Sequence, residues 1–297
     1  MLLGALAVSC RQGREPAANN DADMPGAPVV AAPHHDLTIP DDMLGEIIYS
    51  FSPIVEIPAL ISDLGVPWSG TFLLPAEKMP QPATDIGNAV LMGILGTGMG
   101  YQAMGGETDA LPGYITAMKG AAAGIEADHL FDFDNIEQLA ISRADPGMLS
   151  FSFMQSYNRT DEHLRQSRRT HLSTAMVAGM WIEGLYLLTR AAAEQPEEEL
   201  YERIGEQKII LNELIILLRS HQAMHPGFAP LTAMLEGIKE EFDKVEIVYE
   251  VDEPQAVERD GMLVVVQNQR SYVNIDRQQV TSITASAENI RNNIITQ

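Results

Sequence analysis

The chain has 297 residues, and its 41 Asp and Glu residues against 19 Lys and Arg give a formal net charge of −22. This charge argues against binding to a nucleic-acid backbone, because that contact requires a positive field. A content of 45% hydrophobic and 20% charged residues is typical of a folded globular protein. The one cysteine excludes an internal disulfide framework and any site that needs several cysteines.

The N-terminal run MLLGALAVSC is uncharged and apolar, and it ends on small residues and on Cys10. It resembles the end of a bacterial lipoprotein signal, with residues 7–10 at the position of the lipobox. The resemblance implies cleavage before Cys10, lipidation of its thiol and an anchor in the lipid bilayer. A complete signal also has a basic stretch and a longer apolar core, so we expect the natural start to lie upstream. The alternative is a buried apolar N-terminus in which Cys10 belongs to the core.

Residues 11–39 are rich in Pro, Ala, Asn and Asp and show no periodic apolar face. Such a segment cannot offset the entropy that is lost on ordering, so the composition predicts a flexible tether. Its mean span would be roughly 30 Å, enough to hold a folded body away from a membrane surface. His34 and His35 lie in this tether, where we expect them to be solvated.

From residue 40 onward, apolar residues recur at intervals of three and four, and Gly and Pro interrupt the pattern. This spacing predicts a single domain over residues 40–297 that is mainly α-helical, either an antiparallel multi-helix bundle or a stack of helical hairpins. The predicted helices are Asp41–Phe51, Pro53–Leu64, Thr84–Gly105, Ala110–Ala123, Asn135–Ala144, Gly147–Arg168, Thr170–Glu194, Glu197–Ser220 and Ala229–Val245.

Near the C-terminus the apolar period changes from that of a helix to the alternation of a β-strand. Residues 245–251 and 262–266 have the pattern of strands, with the turn pair Asp260-Gly261 between them. Residues 271–275 predict a third short strand. The sequence therefore predicts a small β-hairpin near 245–275, followed by a final helix that Asp276 caps and that runs to about Ile295.

The stretch 86–106 contains no charged residue, and Gly96 and Gly100 form a GxxxG pair. A membrane span can have these features, but the many glycines and the polar Thr97 and Gln102 make the stretch poorly hydrophobic. A buried helix packed closely against a neighbour is the favoured interpretation. The glycines also give a superficial resemblance to a phosphate-binding loop, but the preceding strand and the lysine of such a loop are missing.

Three separated blocks, in the same order, resemble a group of lipoproteins from Bacteroidota. The blocks are Met92–Tyr101, Ala178–Tyr186 and Arg203–Lys208, and the tail from Tyr272 to Ile295 is similar as well. The resemblance extends over residues 45–297 and implies an all-helical body, a lipid anchor and a location in the cell envelope. It implies no reaction. One position departs from the group, because Gly98 stands where its members carry an acidic residue.

Glu183 lies within the apolar run 175–188, where a buried charge is costly unless it is paired. One interpretation is a ligand-binding carboxylate in a pocket between helices, with Tyr101 and Tyr186 as further ligand contacts. The other is a structural carboxylate that bonds a buried Tyr, an Arg or a helix end and fixes the helix packing. The apolar surroundings favour the structural interpretation, and they favour core positions for Trp181 and Tyr186.

His221 and His225 are four residues apart, so a helix would place both imidazoles on one face, which is the spacing of a metal site. Pro226-Gly227 ends that helix at once, and no Asp or Glu lies nearby in sequence to complete a ligand set. Histidines in a last turn are also favoured by the helix dipole. We therefore expect no metal and no cofactor, with this pair as the weak candidate.

Asp132, Asp134 and Glu137 resemble part of a calcium loop, but the glycine and the closing glutamate of such a loop are missing. Asp134 and Glu137 have the spacing of a capping box. We therefore interpret them as the start of a helix.

Four arginines form the only dense basic cluster of this acidic sequence: Arg159, Arg165, Arg168 and Arg169. Asp161 lies four residues before Arg165, so part of the cluster is helix-surface pairing. Because the cluster opposes the global charge, it is the predicted contact for an acidic partner or a lipid headgroup.

The sequence has no motif of a serine hydrolase or a zinc protease, so we do not expect an enzyme. The predicted function is that of a non-catalytic cell-envelope lipoprotein with a structural or protein-interaction role, such as an accessory subunit of an envelope complex. Arg11 stands after Cys10 in place of the aspartate that retains lipoproteins in the inner membrane, so the outer membrane of a diderm bacterium is the predicted location. The alternative is a small-ligand-binding lipoprotein with a pocket near Glu183.

Overall fold

The computed structural model describes residues 57–75, 78–106, 108–142, 146–251, 255–259, 262–266 and 269–296. Several predictions for the N-terminal part of the chain lie outside the described residues: the lipidated Cys10, the tether 11–39 with His34 and His35, and the helix Asp41–Phe51. Of the predicted helix Pro53–Leu64, the part from Ile57 onward is described.

Nine α-helices make up most of the described part of the chain. They are α1 (Ile57–Asp63), α2 (Asp85–Met104), α3 (Leu111–Gly124), α4 (Phe133–Ile141), α5 (Pro146–Gln166), α6 (Thr170–Glu194), α7 (Glu198–Gln222), α8 (Ala229–Phe242) and α9 (Arg277–Ile295). Short 3-10 helices at Gly70–Phe72, Asp128–Leu130 and Pro226–Phe228 lie in the connections. The predicted fold class is confirmed: the protein is mainly α-helical, with a small antiparallel β-structure and a final helix near the C-terminus.

Helix α6 is the core helix, because every residue from Thr170 to Thr189 is buried. It packs against α1, α2, α5, α7 and α9, and its most extensive contact is with α2. In the described part of the chain, α6 is the one helix whose length and hydropathy would suit a membrane span, but its apolar window is 100% buried inside the protein. The apolar character of α6 is therefore explained by the helices that surround it.

The uncharged stretch of the sequence forms the buried helix α2, which crosses α6 with the two backbones in contact. A Cβ atom on Gly93 would lie 2.1 Å from the carbonyl oxygen of Met176, and one on Gly179 would lie 2.0 Å from the carbonyl oxygen of Val90. Only glycine allows the backbones to approach so closely. Gly96, a member of the GxxxG pair, lies instead beside the ring of Phe153 on α5.

Four short strands form two antiparallel ladders between α8 and α9. Strand β1 (Glu246–Val251) pairs with β4 (Gln269–Asn274), and β2 (Gln255–Arg259) pairs with β3 (Met262–Val266). The prediction of a hairpin between residues 245–251 and 262–266 is wrong in its pairing, because β2 lies between these segments and takes β3 as its partner. The sequence of β2 gives a weak strand signal, since Ala and Glu have low β propensity. Asp260-Gly261 lies outside the described residues.

The sequence predicts helix caps at Asp276 and at Asp134, and the structure has the first of them but not the second. Asp276 accepts a hydrogen bond from the N–H of Gln279 at 2.8 Å, and the Gln279 side chain accepts one from the N–H of Asp276 at 2.7 Å, which forms a capping box. At α4 the N-cap is Asp132, which accepts from the N–H of Asn135 at 3.2 Å. The predicted capping box that begins at Asp134 is wrong, because Asp134 lies inside the first turn, where its charge suits the helix dipole.

Candidate functional site

Glu183 of α6 and Arg291 of α9 form a buried ion pair. Their side chains are 1% and 5% exposed, and the guanidinium donates from Nε to Oε2 at 2.5 Å and from Nη2 to Oε1 at 2.9 Å. The Nη2 group also donates to the carbonyl oxygen of Phe72 at 3.3 Å. Because both carboxylate oxygens accept from Arg291, Glu183 is committed to the packing of α9 against α6 and is a poor base or nucleophile.

The aromatic side chains around this ion pair are also held by the protein. The guanidinium carbon of Arg291 lies 4.1 Å from the ring centroid of Tyr186. The hydroxyl of Tyr101 accepts from the N–H of Ser69 at 3.0 Å, and its ring stacks on Phe72 with the centroids 6.0 Å apart. Burial raises the pKa of both tyrosines above its ordinary value. The predicted ligand-binding residues thus belong to one packed region of the protein.

Three arginines of the predicted basic cluster are held by neighbouring groups. Arg165 pairs with the carboxylate of Asp161 at 2.7 Å, and Arg159 donates to the hydroxyl of Ser156 at 3.1 Å. Arg169 donates to the carbonyl oxygen of Ile125 at 2.9 Å. Arg168 is exposed and follows the end of α5 in a left-handed conformation, with a φ of +58°. These contacts give the cluster a structural role at the end of α5. Its binding of a partner stays a prediction.

Three histidines meet where the start of α6 faces the end of α7. The ring of His171 stacks on that of His225 with the centroids 3.7 Å apart. The centroid of the His221 ring lies 6.3 Å from that of His171. The Nε2 atom of His221 lies 3.0 Å from the hydroxyl oxygen of Thr174. The pKa of His171 is lowered to about 4, mainly by burial and in addition by the charges of the neighbouring His225 and His221. Within the described residues, no group of three or more His, Cys, Asp or Glu side chains could hold a metal ion.

An apolar groove with a volume of about 360 Å³ lies between α1, α2 and α5. Its walls include Met99, Met104, Phe153 and Met154. Of the described residues that line it, Ser150 and Asn158 are polar and none is charged. Flexible methionine side chains can adapt to apolar groups of different shape, so this groove suits an apolar segment of another molecule.

Two large apolar side chains are exposed on α5, the helix that forms one wall of the groove. Phe151 is 62% exposed and Met148 is 57% exposed, and residues three apart lie on one face of a helix. Phe151 is also within one turn of Gly147 and Met154, which line the groove. We call Phe151, Met148 and the groove the α5 apolar surface. It is not among the predicted sites, although the run MLSFSFM contains more apolar residues than one helix face can bury.

A second cleft, with a volume of about 290 Å³, lies at the C-terminal end of α2. Trp68, Leu74, Gln102 and Asp109 are among the residues that line it, and we call it the Trp68 cleft. The predicted ligand pocket near Glu183 coincides with neither opening, because Glu183, Tyr101 and Tyr186 line neither the groove nor the Trp68 cleft.

A scan against protein-family models, a search of curated proteins and a search of solved structures each returned no match to this chain. The resemblance to lipoproteins from Bacteroidota therefore has no support beyond the residues that carry it, and it stays a prediction.

Proposed function

We propose that this chain is a lipid-anchored protein of the bacterial cell envelope, at the outer membrane, that works without catalysis by binding another envelope protein as an accessory subunit. The proposed anchor rests on the apolar run that ends at Cys10. The proposed binding role rests on the α5 apolar surface. The two parts are independent, and each has its own test.

The exposure of Phe151 beside the apolar groove carries the proposed binding role. Single exposed apolar residues are common on folded proteins, but large apolar side chains that adjoin each other at an apolar groove are typical of interaction surfaces. Here Phe151 and Met148 extend a groove whose described lining has no charge. A partner that covers this surface would remove apolar area from water on both sides of the contact, which favours association.

The charge of the chain indicates the chemistry of that partner. A net charge of −22 makes the long-range field around the protein negative. A helix that places apolar side chains in the groove and carries Lys or Arg at its flanks satisfies both the apolar lining and the surrounding field. We therefore expect a basic-flanked, apolar helix of an envelope protein at this surface. This partner differs from the acidic one that the arginine cluster predicts.

Recovery of the protein from native membranes in mild detergent tests the proposed surface. We expect a stoichiometric protein partner that is lost from the variant Phe151→Ser and that dissociates more readily at high salt, because screening weakens the attraction of its basic flanks. Ile216→Ser is the matched control, since Ile216 is 48% exposed on α7 and does not line the groove. A partner that Phe151→Ser retains, or that both variants lose, contradicts the proposed surface.

The lipid anchor is tested by expression of the gene with its upstream region and by mass spectrometry of the mature N-terminus. We expect a chain that begins at Cys10 and carries diacylglycerol on the thiol. An unmodified Cys10 in a membrane preparation would remove the anchor and the envelope location from the proposal.

The alternative function, binding of a small ligand near Glu183, finds no favouring observation among the described residues. Arg291 accounts for both carboxylate oxygens of Glu183. The groove and the Trp68 cleft are lined by other residues. Ligand binding near Glu183 stays a prediction.

A further inference from the structure

Arg190 of α6 is a half-buried cation without a counter-charge. Its Nε atom is fully buried, and in the described part of the protein none of its nitrogen atoms makes a hydrogen bond or an ion pair. Every other Lys or Arg side chain that the structure describes as buried or half-buried has such a partner. A partly desolvated guanidinium is costly unless it is paired. Arg190 therefore calls for an anion from outside the described residues.

The acidic side chain nearest to Arg190 along α6 does not neutralise it. Glu194 lies one helical turn further on and is exposed, and it forms no ion pair with Arg190. The order Arg then Glu is the less favourable one for pairing along a helix. The guanidinium lies instead over the ring of Phe72, with its central carbon 5.5 Å from the ring centroid. This contact orders the guanidinium without supplying a full negative charge.

The outer nitrogen atoms of Arg190 can be reached from solvent. Nε is the one nitrogen of this side chain that is fully buried without a partner, so both Nη atoms keep accessible surface. The hydroxyl of Tyr186, four residues earlier on the same face of α6, also keeps accessible surface and has no hydrogen-bond partner among the described residues. Burial raises the pKa of Tyr186, and the charges of Arg291 and Arg190 oppose that rise, which places Arg190 near the hydroxyl.

We infer that Arg190 and Tyr186 bind the carboxylate group of a small organic acid, and we call this pair the Arg190 site. The two Nη atoms form a fork that can donate to both oxygens of a carboxylate, and the phenolic hydroxyl can donate a third hydrogen bond. The Arg190 site differs from the predicted pocket near Glu183, because Glu183 pairs with Arg291 and takes no part. It shares no residue with the apolar groove and does not depend on the proposed function.

The surrounding charge favours a carboxylate over a phosphate. A phosphate group carries about two negative charges at neutral pH, whereas a carboxylate carries one. The net charge of −22 repels anions, and the charge of Glu288 also acts on Tyr186. This repulsion is stronger for a dianion. A single negative charge also matches the one positive charge that Arg190 leaves unpaired.

Titration of the full chain with sodium acetate, followed by nitrogen–proton correlation spectra, tests this inference. Sodium chloride keeps the ionic strength constant, so that screening does not change during the titration. The Nε–H group of Arg190 is a suitable probe because it is buried. We expect its signal and the ring signals of Tyr186 to shift until they saturate. Sodium phosphate should bind more weakly than acetate.

Two variants test the proposed donors. Arg190→Lys keeps the charge but loses the fork, so it should weaken acetate binding by about tenfold or more, with the Tyr186 signals as the readout. Tyr186→Phe loses one hydrogen bond and should weaken acetate binding by about three- to tenfold, with the Arg190 signal as the readout. Both variants should fold as the parent chain does, because the exchanged groups make no hydrogen bond to a described residue.

Arg277→Lys is the matched control, because Arg277 is exposed on α9 and likewise makes no ion pair with a described residue. This variant should bind acetate as the parent chain does. Four results would each overturn the inference: no saturable shift with acetate, the same shift with sodium chloride alone, unchanged binding by either variant of the Arg190 site, or tighter binding of phosphate than of acetate.

Discussion

The guanidinium of Arg291 makes two hydrogen bonds to the carboxylate of Glu183, although 108 residues separate them in the chain. This pair joins the last helix, α9, to the core helix α6. Arg291 also donates to the carbonyl oxygen of Phe72, so it holds the segment that precedes α2 as well. A buried ion pair contributes little net stability when both charges are desolvated. Its main effect is to fix which face of α9 meets α6.

Loss of one charge from this pair should be strongly destabilising. Glu183→Gln leaves the buried guanidinium of Arg291 without a counter-charge, so we expect the free energy of unfolding to fall by about 3–5 kcal/mol in urea titrations. The matched control is Glu236→Gln, which breaks the surface pair with Arg219 and should change the free energy of unfolding by less than about 1 kcal/mol. Similar losses in the two variants would show that burial of the pair has no special effect.

The crossing of α2 and α6 should tolerate no added methyl group. Gly93→Ala and Gly179→Ala would push a Cβ atom into a carbonyl of the facing backbone, so we expect each to lower the free energy of unfolding by about 3 kcal/mol or more. Gly120→Ala in α3 and Gly237→Ala in α8 are the controls, because a Cβ atom there has no neighbour within 4 Å. These variants should gain up to about 1 kcal/mol from helix propensity. Thermal or urea unfolding of the four variants separates the two outcomes.

The histidines at the start of α6 and the end of α7 should make stability depend on pH. The pKa of His171 is lowered from 6.5 to about 4 in the folded protein, so the unfolded chain binds more protons between these values. Stability should therefore fall by about 3 kcal/mol as the pH drops through this interval. The variant His171→Leu should lose less stability over the same interval. An unchanged pH profile in His171→Leu would assign the acid sensitivity to other groups.

The variant Arg168→Gly distinguishes between the α5 apolar surface and the arginine cluster as the site that binds the partner. Its positive φ is unfavourable for a residue with a Cβ atom, so Arg168→Gly should raise the free energy of unfolding by about 0.5–1 kcal/mol. If the partner binds at the α5 apolar surface, this variant should keep it in the membrane pull-down. Loss of the partner from Arg168→Gly, with the fold intact, would transfer the binding role to the arginine cluster.

Much of the fold can be predicted from local patterns in the sequence. The predicted and observed limits of α6 coincide at Thr170–Glu194, because a long apolar run is followed by a helix-breaking proline, Pro196. The predicted ends of helices that lack such a signal are less accurate. For α8 the predicted end is Val245, but the helix ends at Phe242, where no Gly or Pro follows to mark the end. The pairing of β1 with β4 depends on contacts between distant strands, which local alternation does not encode.

For the candidate sites, too, the local sequence indicates single residues, whereas their partners depend on how distant helices pack. The apolar run around Glu183 indicates that this carboxylate needs a partner, but the sequence cannot select Arg291 from other arginines so far along the chain. His171 comes to stack on His225 only because α6 and α7 pack together. Phe151 lies in a run with excess apolar residues, yet which of them stays exposed depends on how α5 sits against α2 and α6.

Site-specific photo-crosslinking in living cells is the most direct test of the proposed binding role. A photoreactive amino acid at position 151 should give one reproducible adduct with an envelope protein, and the crosslinked peptide should be apolar with Lys or Arg at its flanks. The same amino acid at position 216, on an exposed site of α7, should give no such adduct. The absence of an adduct at position 151, or the same adducts from both positions, would contradict the binding of an envelope protein at the α5 apolar surface.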